Sequence, residues 1–242
     1  MLKIENFEVM GWEHAIRGMR NPMNSWEKSD SGYCVQDLSR DCNNCVHKHT
    51  NYPTCRCGGF DIGPNDYALM KKLRNAGTDH RKFMRMIIVY LDITAPLYWW
   101  KEFDTYKVGT VVNSCSTMHK IHAKVFTLED FSCEYLIKES IGELQNVIDK
   151  LNYFRDKFIN WKKSDFFIDN GQQLVDREVI WRQMIQLLPS SYNQKRTVML
   201  NYEVLSNIYK SRKDHKLDEW HTFCHWIEEL PYSELITGYE EG

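Results

Sequence analysis

The sequence lacks any long apolar run. No stretch approaches the roughly 20 consecutive apolar residues that a membrane-spanning helix needs. Its start, Met1-Leu2-Lys3-Ile4-Glu5-Asn6, carries charges and no apolar core of a secretion signal. These absences predict a cytoplasmic protein without a membrane partner.

The chain also lacks an excess of either charge. It has 31 Lys and Arg against 33 Asp and Glu, for a formal net charge of -2. Such a balance creates no overall field that would draw the protein onto nucleic acid. A zinc-stabilised nucleic-acid module is therefore disfavoured. Any anionic ligand must be bound by a local cluster of side chains.

Internal repeats and low-complexity tracts are absent as well. With 242 residues, 43% of them hydrophobic, the chain can bury a large core, so disorder of the whole chain is excluded. We expect one α+β domain over residues 1–242. Residues 27–66 are rich in Ser, Asp, Asn, Gly, Pro and Cys and poor in aliphatic residues, which predicts an irregular surface insertion.

Cysteine is concentrated in that insertion. Five of the eight cysteines crowd there: Cys34, Cys42, Cys45, Cys55 and Cys57. Cys42 and Cys45 have the two-residue spacing that supplies two thiolates to tetrahedral zinc, and we predict that the others, with His47 and His49 as further candidates, complete the site. A thiol-bearing loop without metal is the alternative.

Hydrophobic periodicity and capping residues predict the main elements. A strand-like start near Ile4 precedes a helix around Trp12–Met19. The other expectations are a helix over Tyr67–Arg74 capped by Asn65 or Asp66 and closed by Gly77, a strand over Met84–Ile93 ended by Pro96, a capping box at Thr127–Asp130, and helices over Ile137–Phe158, Arg177–Leu188, Val198–Lys210 and Leu217–Leu230.

A series of motifs follows the predicted strand. Ala95-Pro96-Leu97-Tyr98-Trp99-Trp100-Lys101-Glu102-Phe103 leads to Thr105-Tyr106-Lys107 and then to Asn113-Ser114-Cys115-Ser116-Thr117-Met118. This order resembles flavin-dependent thymidylate synthases, in which Arg-His-Arg is followed by Asn-Glu-x-Ser-x-Arg-Tyr. One extra residue is needed between Lys107 and Asn113.

Further blocks agree with that family in order. Leu69–Arg85 resembles its helix and turn before the strand, and Arg182–Leu188 with Pro189 resembles its helix ending in Leu-Pro. Asn201-Tyr202-Glu203, Arg212, His215 and Glu219-Trp220 resemble its last motifs. The resemblance implies an α+β fold with a mixed curved sheet and a helical layer, and a homotetramer with shared sites. Because the stretch Tyr98–Phe103 is too apolar for solvent, we expect its aromatic rings in the core or at the subunit interface.

The resemblance also implies site residues and a function. FAD would contact Arg85, Thr105, Tyr106, Lys107, Asn113, Asn201 and His215, and the substrate would contact Glu102, Ser114, Ser116, Met118 and Glu203. No catalytic residue is assigned. The first hypothesis is an enzyme acting on a pyrimidine deoxynucleotide, dUMP or an analogue, with FAD and a folate carbon donor. The second is a catalytically silent relative that serves as a nucleotide-binding or protein-interaction scaffold.

Several motif positions have lost their positive charge. Among the basic positions of these motifs only Lys107 stays basic, while Met118 and Glu203 stand where the family has arginine. Lysine and methionine cannot replace the planar, two-point grip of a guanidinium on phosphate. Tight dUMP binding in the family's pose is therefore disfavoured unless Lys101, Arg85, Lys120 or another cation compensates.

Overall fold

A computed structural model describes residues 2–33, 60–162, 167–169 and 173–238, which form a mixed helix and sheet fold. The helices are α1 (Trp12–Arg20), α2 (Pro64–Asn75), α3 (Leu97–Phe103), α4 (Lys138–Ile159), α5 (Arg177–Leu187), α6 (Tyr202–Arg212), α7 (Asp218–Glu228) and α8 (Glu234–Thr237). The strands are β1 (Lys3–Met10), β2 (Gly32–Tyr33), β3 (Phe60–Asp61), β4 (Ile88–Pro96), β5 (Val111–Ser114), β6 (Phe167–Asp169), β7 (Gln173–Val175) and β8 (Asn193–Asn201). Short 3-10 turns span Asn21–Met23, Trp26–Lys28, Arg81–Met86 and Leu128–Asp130.

The main sheet has four strands in the order β1-β4-β8-β5, and β2 with β3 and β6 with β7 form two antiparallel pairs. In β4 the side chains alternate, with Val89, Leu91 and Ile93 buried and Tyr90 exposed. This period of two turns one side of the strand to the core.

The chain divides into two compact units. Unit 1 comprises Met1–Lys3, Ile93–Thr105 and Asn113–Arg196, and unit 2 comprises Ile4–Asp92, Tyr106–Val112 and Thr197–Gly242. The single domain over 1–242 and its insertion over 27–66 remain predictions.

Unit 1 is built around α3, α4 and α5. Its apolar cluster consists of Ile121, Phe126, Phe131, Leu144, Ile148, Leu151 and Met184. The rings of Trp99, Trp100 and Phe103 on α3 are buried among themselves, with centroids 5.0 to 5.2 Å apart. The chain itself covers these three rings, which places them in the core and not at a subunit interface.

Unit 2 is organised by aromatic side chains of α1, α6 and α7. Trp12 lies edge-on to Tyr202, with ring centroids 5.3 Å apart, and Trp220 lies edge-on to Phe223. The buried hydroxyl of Tyr202 donates to the carbonyl of Pro231 at 2.6 Å, which satisfies its one polar group.

Asp66 joins the segments on both sides of residues 34–59. Its carboxylate accepts from Arg20 at 2.6 Å, from the hydroxyls of Ser29 and Ser31 at 2.7 and 2.6 Å, and from the backbone N–H groups of Asp30 and Ser31. Both Asp66 and Arg20 are buried. A buried carboxylate requires such partners, because desolvation without them is costly.

Most predicted elements are confirmed, and three boundaries were wrong. Gly63, not Asn65 or Asp66, precedes α2, while Gly77 has the expected positive φ of 107°. The strand begins only at Ile88 because Arg81–Met86 forms a 3-10 turn. The start of the predicted Val198–Lys210 helix is the end of β8, and the helix begins at Tyr202.

The predicted zinc ligands, Cys34, Cys42, Cys45, Cys55 and Cys57, lie outside the described residues, as do His47 and His49. Within the part of the chain that the structure describes, no group of three or more His, Cys, Asp or Glu side chains could hold a metal ion. Among those same residues, no helix is long and apolar enough to cross a bilayer.

Candidate functional site

The predicted site residues fall into two groups, one in each unit. Unit 1 contains Glu102, Thr105, Asn113, Ser114, Ser116 and Met118, and unit 2 contains Arg85, Tyr106, Lys107, Asn201, Glu203 and His215.

Unit 1 has a cavity of about 280 Å³ beside the end of β5. Its lining comprises Thr94, Cys115, Ser116, Thr117, Lys124, Glu129, Asp130, Tyr192, Asn193, Gln194 and Lys195. Ser116 is the predicted substrate residue that lines it. The Ser116 hydroxyl oxygen accepts from the N–H groups of Met118 at 3.2 Å and His119 at 2.8 Å, which shapes the turn after β5.

Charged groups face each other in this cavity. Lys124 forms an ion pair with Asp130. Burial alone would lower the pKa of Lys124, but the bond to Asp130 raises it, so the lysine stays charged. Burial also raises the pKa of Tyr192, so this phenol stays neutral. Lys195 is the second lysine of the lining, and sequence patterns gave no signal for it.

A hydrogen-bonded chain of side chains holds the turn that carries Ser116. Gln194 Nε2 donates to the carbonyl of Cys115 at 2.7 Å, and Gln194 Oε1 accepts from Arg196 Nε at 2.9 Å. Arg196 also donates to Asp104 at 2.8 Å and lies 4.1 Å over the ring of Trp100. Burial lowers the pKa of Arg196, and Asp104 opposes that shift. The end of β8 in unit 1 thus fixes one wall of the cavity.

The other predicted residues of unit 1 do not line the cavity. The Thr105 hydroxyl donates to the carbonyl of Glu102 at 2.7 Å, which closes the end of α3. Asn113 and Ser114 lie on β5 with exposed side chains. The Met118 side chain is 47% exposed, and its carbonyl accepts from Trp181 Nε1 at 2.9 Å.

In unit 2 the carboxylate of Glu203 is held by two arginines. Arg85 donates to both of its oxygens, with Nη2 3.3 Å from Oε1. Arg81 Nε lies 3.5 Å from the same Oε1. Glu203 is buried in the first turn of α6, so its carboxylate serves as an internal partner of these guanidinium groups. Glu203, predicted to contact the substrate, is thus engaged by arginines of its own unit.

Asn201, predicted to contact FAD, has a structural task. Its side-chain oxygen accepts from the N–H of Val204 at 3.0 Å and so caps α6. The Asn201 side chain also lies against Gly109, where a built Cβ would come within 2.9 Å of Asn201 Nδ2.

Tyr106 and His215 lie near Arg212 and Trp220 in unit 2. Arg212 Nε donates to the hydroxyl of Tyr106 at 2.9 Å, and its guanidinium lies 4.7 Å from the centre of the Trp220 ring. His215 Nδ1 accepts from the N–H of Leu217 at 3.2 Å. Lys107 is exposed.

Three of the seven side chains predicted for FAD are already engaged by other groups of the chain. Within their own units, Arg85, Tyr106 and Asn201 are engaged by Glu203, Arg212 and the α6 backbone. A flavin dinucleotide carries a diphosphate. The guanidinium of Arg85, which could bind such a negative charge, is already paired with the carboxylate of Glu203.

No family model matches the chain, and no curated protein matches it. Two solved structures of thymidylate synthase X (ThyX) from Helicobacter pylori, both with FAD and dUMP, are similar to it, with TM-scores of 0.62 and 0.58. Each is 14% identical, and each match covers 98% of both chains. At that identity the likeness concerns the fold alone: the chain has a ThyX-like fold, as the resemblance implied.

Proposed function

We propose that this chain binds a pyrimidine deoxynucleotide, dUMP or a close analogue, in the cavity of unit 1. One observation carries the proposal: Ser116, one of the five residues that the resemblance assigns to the substrate, lines this cavity. The ThyX structures of the same fold were solved with dUMP, which supports the same ligand class here.

The charges of the cavity favour a single phosphate group. Lys124 and Lys195 both line the cavity and supply positive charge that the changed motif positions no longer provide, with Lys124 paired to Asp130. Glu129 in the same lining would repel a second or third phosphate. A volume of about 280 Å³ lies at the small end of ligand pockets and suits a monophosphate better than a triphosphate.

The fuller form of the proposal adds FAD and a folate carbon donor, as the resemblance implies. The ThyX structures contain FAD, which supports it as a cofactor. The pairing of Arg85 with Glu203 instead favours the second candidate, a catalytically silent relative that retains nucleotide binding. We assign no reaction step to FAD.

Thermal unfolding with and without dUMP tests the proposal, because a ligand that binds only the folded state raises the Tm. We expect dUMP to raise the Tm of the native chain. Lys195→Met should lose most of that shift, while Lys138→Met, an exposed lysine on α4 outside the cavity, should keep it. Equal shifts in both variants would contradict the assignment to this cavity.

The visible absorbance of the purified chain, after incubation with FAD and removal of free flavin, separates the two candidates. About one flavin per chain supports the enzyme. An absence of flavin together with a dUMP-induced shift in Tm supports the silent relative.

A further inference from the structure

Two arginines of unit 2 share one carboxylate, but their surroundings differ. The Arg81 side chain is 19% exposed and also donates to Asn207 Oδ1 at 3.3 Å. The Arg85 side chain is 54% exposed; its side-chain hydrogen bonds go to Glu203, and the carboxylate of Asp79 adds a weaker electrostatic attraction. Arg81 thus has a hydrogen bond to Asn207 besides its ion pair with Glu203, whereas the hydrogen bonds of the more exposed Arg85 go to Glu203.

Glu203 can keep a counterion if Arg85 leaves. Its carboxylate lies in the first turn of α6, where the positive end of the helix dipole favours a negative charge. Arg81 Nε remains 3.5 Å from Oε1. Loss of Arg85 from this group thus does not leave an isolated buried charge, which would be costly.

The contact that Arg85 makes is the one that phosphate also prefers. Its Nε and Nη2 donate side by side to the two oxygens of Glu203. The same planar fork binds phosphate oxygens in pairs. A phosphoryl group that approaches from solvent meets the exposed side of this guanidinium first.

We propose that Arg85 exchanges Glu203 for a phosphoryl group of an incoming ligand, while Arg81 remains with Glu203. The Glu203 carboxylate then competes with every phosphorylated ligand for Arg85, and it lowers the affinity of Arg85 for phosphoryl groups. The identity of the natural ligand, a phosphorylated nucleotide or cofactor, rests on the proposed function. The exchange itself can be measured with inorganic pyrophosphate, whether or not the unit 1 cavity binds dUMP.

The experiment is a calorimetric titration of inorganic pyrophosphate into the full chain and three variants. Glu203→Gln should bind about tenfold more tightly than the native chain, because a neutral amide competes less for a guanidinium. Glu229→Gln makes the same charge change at an exposed position of unit 2 and should bind like the native chain. The double variant Glu203→Gln with Arg85→Gln should lose the gain.

The proposal is overturned if folded Glu203→Gln binds no more tightly than Glu229→Gln, or if the gain survives the loss of Arg85. Should Glu203→Gln fail to fold, the native chain and Arg85→Gln decide the matter, since Arg85 is half-exposed and its loss leaves Arg81 on Glu203. The native chain should then bind pyrophosphate at millimolar concentration and the variant should not. Equal binding by both would refute the exchange.

Discussion

Gly109 shows how one residue constrains the candidate site. Its φ is 80°, and a Cβ there would meet Asn201 Nδ2 at 2.9 Å and Val204 Cγ2 at 3.2 Å. We expect Gly109→Ala to lower the free energy of unfolding by about 1–2 kcal/mol through the left-handed backbone, and by about 1–3 kcal/mol more through overpacking. Urea denaturation measures the sum.

Two other glycines separate these causes. Gly77 also has a positive φ, of 107°, but a Cβ there meets nothing within 4 Å, so Gly77→Ala should show the backbone cost alone. Gly142 lies within α4 with open space around it, and Gly142→Ala should stabilise the chain by about 0.5–1 kcal/mol. If Gly109→Ala and Gly77→Ala lower the free energy of unfolding equally, the close approach to Asn201 does not contribute to the cost at Gly109.

The fate of Glu203 shows what sequence reasoning could not reach at this scale. The family comparison selected both Arg85 and Glu203, yet it treated them as separate ligand contacts. They lie 118 positions apart in the chain, and no local pattern records that they pair. Lys195 was missed for a similar reason, because a lone lysine on a strand has no motif.

At the scale of elements, α6 depends on its cap. Asn201 accepts from the N–H of Val204, so Asn201→Ala should cost about 1 kcal/mol of stability. Asn201→Ser restores an accepting oxygen and should recover most of that loss. If urea denaturation gives the same stability for the alanine and serine variants, the side chain of Asn201 contributes nothing as a cap and this account of its role is refuted.

The Asp66 cluster joins α1, α2 and the segment Ser29–Ser31, and it predicts a pH dependence of stability. Burial alone would raise the pKa of Asp66, but the bonds from Ser31, Ser29 and Arg20 lower it. Its stabilising contribution is therefore complete above its pKa in the unfolded chain, about 3.9, and is lost as the pH falls through the lower pKa of the folded chain. The stability difference between the native chain and Asp66→Asn should shrink over that acidic window.

At neutral pH, Asp66→Asn should lower the free energy of unfolding by about 3–5 kcal/mol, because it leaves buried Arg20 without a counterion. Glu178→Gln is the control: its pair with Arg182 is exposed, and its loss should cost less than about 1 kcal/mol. A small loss of stability in Asp66→Asn, or a loss of stability that does not change with pH, would refute this view of the cluster.

Element type was predictable where a long periodic pattern exists. The stripe through Leu144, Ile148 and Leu151 predicted α4, and all three are buried there. The apolar residues of Val198 to Asn201 continue the helical pattern of α6 toward the N-terminus. The last four residues of β8 were therefore predicted as helix. There the hydrogen bonds of the sheet, which come from distant strands, decide the structure.

At the scale of the whole molecule, the homotetramer is still a prediction. The apolar stretch Tyr98–Phe103 gives it no support, because Trp99, Trp100 and Phe103 are buried within the chain. The prediction now rests on the family resemblance alone. Light scattering should give four times the 28.9 kDa chain mass at micromolar concentration, and a mass of one chain would exclude shared sites.

The fold was predictable as a whole because motif order survives substitution, but the cavity was not. Its lining extends from Thr94 to Lys195 and includes loops whose path no motif specifies. The resemblance identified Ser116, and the other lining residues come together only through the packing of the folded chain.

The central claim is that the chain keeps a pyrimidine nucleotide site although its motif arginines have changed. A calorimetric titration of dUMP into the native chain tests this most directly. With Lys195 as the cation in place of an arginine fork, we expect saturable binding at one site per chain with a Kd on the order of 0.1 mM. An equal concentration of dAMP should bind more weakly. No heat of binding at millimolar dUMP, or no preference for dUMP over dAMP, would contradict the claim.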